Sequence, residues 1–117
     1  LEIAHIMTSH RHDREWAEYK VQRWWECSIP QARVNYMHMF VETNIVDKVK
    51  GASLPVQVIC TSDDNEAHRK DVMEATFGQW FPNAKITEIN NAGHYPMQEA
   101  PVSLASSINR FLDRNGI

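Results

Sequence analysis

Residues 55–66, PVQVICTSDDNE, decide how the rest of the chain is read. Pro55 to Cys60 form a short, β-branched and almost continuously apolar run. That is the pattern of a strand buried on both faces of a parallel sheet. Thr61 to Glu66 end the run with turn formers and acids. A helix is expected next, over about 66–80, because Val72, Met73, Thr76, Phe77 and Trp80 make one stripe. Pro82 and Asn83 mark a turn, and AKITEI (84–89) is a second strand. The loop NNAGHYP (90–96) follows, then a last helix over 102–114 with Leu104, Ile108, Phe111 and Leu112 inward and Gly116 just past its end. Strand, helix and strand in that order make a βαβ unit with a parallel pairing. Two strands do not make a stable sheet by themselves, so the reading calls for more from elsewhere.

Upstream, DREWAEYKVQRWWE (13–26) reads as a helix with Asp13 as N-cap and with Trp16, Lys20 and Trp24 at a spacing of four. Ser28-Ile29-Pro30 ends it. A second helix is expected over about 31–42, with Val34, Met37 and Val41 in a stripe beside Tyr36 and Phe40. The aromatic side chains of the two helices either pack them on a neighbouring domain or line an apolar pocket. GASLP (51–55) reads as a loop.

The composition narrows the classes. The 117 residues suffice for one domain, and a hydrophobic fraction of 43% allows a core. A net charge of −3 disfavours a nucleic-acid partner, and no apolar run approaches a membrane span. Cys27 and Cys60 are too few for a disulfide scaffold and too far apart in sequence for a zinc motif, so a reduced, cytoplasmic setting is expected. No secretory leader is visible, and a first residue of leucine suggests a processed chain, a fragment or a truncation. Of six histidines, His5, His10 and His12 cluster in HIMTSHRH (5–12). They are read as a solvated segment, with a metal site as the alternative if a carboxylate joins them.

Both loops of interest leave the carboxyl ends of strands, where open parallel sheets bind their ligands. Asp63 and Asp64 leave the first strand and His94 the second. A carboxylate that accepts from an imidazole fixes its tautomer and stabilises its charged form during proton transfer. Acid before histidine on successive loops is the order of an α/β-hydrolase triad.

With the apolar strand, the acids, and Asn91, Gly93, His94, Glu99 and Pro101 in N-x-G-H-x-x-x-x-E-x-P, the chain resembles the C-terminal third of the α/β-hydrolase superfamily. The likeness is strong from Leu54 onward and looser before it, where a helix ending near Glu42 and NIVDKVKGASLPV (44–56) are similar to the end of a lid and its return to the core. The resemblance implies an α/β fold: a helical lid or cap segment over 1–50, and over 51–117 the C-terminal portion of a hydrolase parallel sheet completed by a separate N-terminal polypeptide. It implies His94 as general base with an Asp partner, family spacing favouring Asp64 over Asp63. The other Asp then caps the following helix. Glu99 is expected to bond backbone amides at the start of the last helix, and Pro101 to suit its first turn.

Two departures stand out. Thr61 occupies a place where glycine is usual, and no G-x-S-x-G nucleophile elbow or oxyanion-hole segment occurs. The resemblance therefore implies part of a hydrolase of ester, lactone, amide or C–C bonds, with a small apolar or aromatic substrate and no metal or organic cofactor. The nucleophile would come from the N-terminal polypeptide of the same hydrolase. An aspartate-nucleophile dehalogenase or epoxide hydrolase, a cofactor-free dioxygenase, or a non-catalytic receptor or binding module of the same fold are the alternatives.

Overall fold

The computed structural model describes residues 2–117. Two strands, β1 (Val56–Thr61) and β2 (Ala84–Ile89), pair in parallel with Val56 opposite Ala84 and Thr61 opposite Ile89. The helices in chain order are α1 (Glu2–Ile6), α2 (Arg14–Glu26), α3 (Pro30–Glu42), α4 (Val46–Val49), α5 (Lys70–Ala75), α6 (Phe77–Trp80), α7 (Pro96–Glu99) and α8 (Pro101–Asn115). A 3₁₀ turn, Glu66–His68, precedes α5. None of these helices is long and apolar enough to cross a membrane.

The expected portion of an α/β-hydrolase parallel sheet is overturned. Among the described residues the sheet has two strands and no more, and the chain folds as a small α/β unit. The physical reason lies in the first fifty residues, whose periodicity is helical and which offer no further strand. With no strands beyond this pair, the sheet packs instead against α5, α6 and α8. Gln57 of β1 donates to Ser107 of α8 at 3.0 Å and to Thr87 of β2 at 3.1 Å, a polar link under α8. The strand read as buried on both faces is only partly so: Val56 to Ile59 are half-buried, and burial is complete only at Cys60 and Thr61.

Local signals hold closely where caps and prolines set them. Asp13 caps α2 by accepting from the amide of Trp16 at 2.8 Å, as expected of an Asp before a helix. Pro30 and Pro101 stand in the first turns of α3 and α8. Gly116 closes α8 in the left-handed region at φ 68°. The helix expected over 66–80 is instead the 3₁₀ turn, α5 and α6, broken at Thr76, whose hydroxyl bonds back to the carbonyl of Val72 at 2.7 Å.

The segment before α2 is not a loosely solvated end. α1 packs on α2 with Ala4, Thr8 and Ala17 fully buried. Ser9 and His10 turn the chain through left-handed conformations, at φ 51° and 59°. His5 and His10 stack with ring centroids 5.9 Å apart, and His12 stacks on Trp16 at 4.3 Å.

The core is thin. Its buried apolar members are Ala4, Ala17, Cys60, Ile89 and Ala92. The accessible surface of 8404 Å² exceeds by roughly 1,800 Å² what a monomer of 13.6 kDa presents on the usual scaling. Exposed apolar side chains are dense on α3, where Phe40 is 78% and Val41 75% exposed.

Candidate active site

The parallel register carries β1 and β2 to a common C-terminal edge, so the loops after Thr61 and Ile89 leave side by side. Backbone bonds continue past the strands. The amide of Ser62 donates to the carbonyl of Ile89, and that of Asp63 to the carbonyl of Ala92, each at 3.1 Å. The Ser62 hydroxyl accepts from the amide of Asn91 at 2.9 Å, with Asn91 at φ 57°. The hydroxyl of Thr61, 2% exposed, donates to the carbonyl of Gly93 at 2.9 Å. A glycine at 61 would lack that clasp.

On this frame Asp64 meets His94. His94 Nδ1 lies 2.9 Å from Asp64 Oδ2 and 3.1 Å from Oδ1. A carboxylate only accepts, so in the neutral ring the proton sits on Nδ1 and Nε2 keeps its lone pair. Asp64 Oδ1 also accepts from the amide of Asn65 at 2.7 Å, which fixes the carboxylate. Its side chain is 12% exposed and that of His94 37%, a sheltered acid beside a base that solvent still reaches. His68, at the end of the 3₁₀ turn, places Nδ1 3.6 Å from Asp64 Oδ1 and its ring 5.2 Å from that of His94.

Asp63 is directed elsewhere. It forms an ion pair with Arg11, which also reaches Glu99 at 3.1 Å. Neither acid caps the following turn; Asn65 does, accepting from the amide of Ala67 at 2.9 Å. Glu99 departs from its expected place as well. Its side chain, 2% exposed, accepts from the amide of Gly93 at 2.8 Å rather than from the start of α8. A buried carboxylate needs such partners, and Arg11 with Gly93 supplies them.

The amide of His94 donates to the carbonyl of Met7 at 2.7 Å, and the Ser9 hydroxyl to the carbonyl of Asp63 at 2.7 Å. The N-terminal segment thus forms one wall of the site. Gly93 permits this approach, because a Cβ there would lie 2.9 Å from the Met7 carbonyl oxygen. The resulting cleft, about 370 Å³, is bounded by Ile3, Ile6 and Met7 on one side and by Asp64, His68 and His94 on the other.

These wall residues are absent from the expectations above, although the spacing of Ile3, Ile6 and Met7 marks one face of a helix turn. The tryptophans and tyrosines of α2 and α3, expected either to line a pocket or to pack on a neighbour, do not border this cleft. Trp25 lies under the Arg33 guanidinium at 4.2 Å, and Tyr19 and Tyr36 are exposed. Beside the site, burial raises the pKa of Tyr95, whose ring lies 5.4 Å from the Lys20 ammonium.

No protein-family model, curated protein or solved structure matches the chain.

Proposed function

We propose that Asp64 and His94 are the acid–base pair of a hydrolytic reaction whose nucleophile is contributed by a second polypeptide. The observation that carries this reading is the 2.9 Å bond from Nδ1 of His94 to Asp64, beside a cleft with aliphatic walls. In the proposed reaction a hydroxyl nucleophile attacks the carbonyl carbon of an ester or related bond, and its proton passes to Nε2 of His94. The imidazolium, stabilised by Asp64, returns that proton to the leaving group as the carbon–heteroatom bond breaks. A water then repeats the sequence to release the acid and restore the nucleophile. Among the described residues no serine or cysteine borders the cleft, so in this reading the attacking group comes from beyond it.

One feature supports a partner and another bears on the substrate. The excess surface of roughly 1,800 Å² is ample for a stable interface, which takes about 800 Å² from each side. The aliphatic walls of Ile3, Ile6 and Met7 favour a small apolar acyl group over an aromatic one.

The test is turnover of short-chain p-nitrophenyl esters by the chain isolated together with its partner. His94→Ala should lower kcat/KM by about 10³-fold or more, with the circular dichroism spectrum preserved. Unchanged turnover in a folded His94→Ala complex removes His94 from the chemistry.

A further inference from the structure

The position of His68 is not accounted for by hydrogen bonding. Its Nδ1 lies 3.6 Å from Asp64 Oδ1, beyond hydrogen-bond range, yet it converges with His94 Nδ1 on the same carboxylate. One donor atom from each of Asp64, His68 and His94 lies within 4.8 Å of the others, the one such trio among the described residues. We propose that these three residues bind a divalent transition-metal ion of the zinc class, with a fourth coordination position open to the cleft.

The dimensions suit such an ion. Zinc binds imidazole nitrogen and carboxylate oxygen at about 2.0–2.2 Å, which separates tetrahedral donors by roughly 3.3–3.5 Å. The two Nδ1 atoms lie 3.1 and 3.6 Å from the same oxygen, Asp64 Oδ1, which brackets that value, and with all donors within 4.8 Å of one another a modest closing of the side chains admits the ion. Two imidazoles and one carboxylate are a donor set suited to zinc and its late first-row neighbours rather than to calcium or magnesium, which take oxygen. The supporting contacts are in place: the amide of Asn65 holds Asp64, and the Met7 carbonyl accepts from the backbone of His94. Ile3 and Ile6 provide an apolar surround.

Binding requires one tautomeric step. The Nδ1 proton of His94 moves to Nε2 and the freed Nδ1 lone pair goes to the metal. The bound ion therefore occupies both members of the acid–base pair and removes the Nε2 lone pair. The binding site itself does not depend on the hydrolase reading; only this silencing of the pair rests on it. His5 and His10 are the competing histidines, stacked together, and among the described residues no carboxylate completes a trio with them.

The test is titration of the full chain with zinc and with cobalt(II), monitored by calorimetry and by cobalt absorption. The expected result is saturable 1:1 binding with the intense visible bands of a four-coordinate ion. His68→Ala and Asp64→Asn should each weaken affinity by about tenfold or more, and a His5→Ala/His10→Ala double variant should not. His68 is exposed, so its removal leaves folding intact, which circular dichroism checks. In imidazole ¹⁵N spectra zinc should move the resonances of His68 and His94 and leave His38 in place. Absence of saturable binding, or affinity lost in the His5/His10 variant and kept in His68→Ala, overturns the proposal. Because these readouts need no turnover, they can fail or succeed independently of the His94→Ala assay.

Discussion

The backbone amide of His94 donates to the carbonyl of Met7 at 2.7 Å, so the start of the chain holds the loop that carries the imidazole. This contact requires a residue without a Cβ immediately before His94. At Gly93 a Cβ would stand 2.9 Å from the Met7 oxygen, 3.0 Å from Ser9 Oγ and 3.2 Å from Glu99 Oε2. The nearest of these is backbone and has little room to yield. Gly93→Ala should destabilise the chain by about 1–3 kcal/mol in urea unfolding and speed trypsin cleavage at Arg11. A variant as stable and as resistant as the parent would show that the segment does not rest on the loop.

Glu99 joins three parts of the site, with Gly93 and Arg11 as partners of one nearly buried side chain. Glu99→Ala leaves the Gly93 amide without an acceptor and Arg11 with Asp63 alone. A loss of about 1–3 kcal/mol is expected in the unfolding free energy, and Glu99→Gln, which keeps an acceptor oxygen, should lose less. Equal losses in the two variants would mean that charge, not the Gly93 bond, accounts for the effect.

Thr61 stands where the resemblance raised the expectation of a glycine, and its hydroxyl bonds the Gly93 carbonyl. Thr61→Val keeps the branched shape and replaces the hydroxyl by a methyl group that cannot donate. It should cost about 1 kcal/mol, measured by thermal or chemical melts. A neutral result would assign the loop's position to backbone bonds alone.

The bond to Asp64 favours, in the neutral ring of His94, the tautomer with the proton on Nδ1. Asp64→Asn presents an amide that can donate to that nitrogen and favours the other tautomer. Two-bond ¹H–¹⁵N spectra should show the proton transferred to Nε2, and turnover in the partnered complex should fall about 10³-fold or more. Retention of the Nδ1–H form would separate Asp64 from control of the ring.

Cys60 is 5% exposed, and its thiol pKa is raised, first by burial and then by the charge of Glu88. The unfolded chain gives up this proton near pH 8.5, whereas the folded chain keeps it to higher pH. In that interval the native state holds more protons than the unfolded one, so stability decreases as pH rises. Unfolding free energy should be lower at pH 9.5 than at pH 7, and Cys60→Ala should reduce the difference. Tyr95, raised likewise by burial, adds the same sign only above about pH 10.

The amino-acid sequence by itself determined the local elements and the chemistry available to them. A β-branched run makes β1, Asp13 caps α2, Pro101 opens α8, and both acids and His94 follow strand ends. These are short-range effects, set by backbone sterics and by side chains reaching their own amides. Only the tertiary structure decided the rest. The register sets the two loops side by side, where Asp64, the acid that family spacing favoured, meets His94, and Arg11, distant in sequence, takes Asp63. The hydrolase sheet foreseen from the motif did not form, because a motif specifies one edge and not how many strands stand beside it. Nor was the wall of Ile3, Ile6 and Met7 foreseen, since it exists through contacts that close a long loop and satisfy backbone groups on both sides at once.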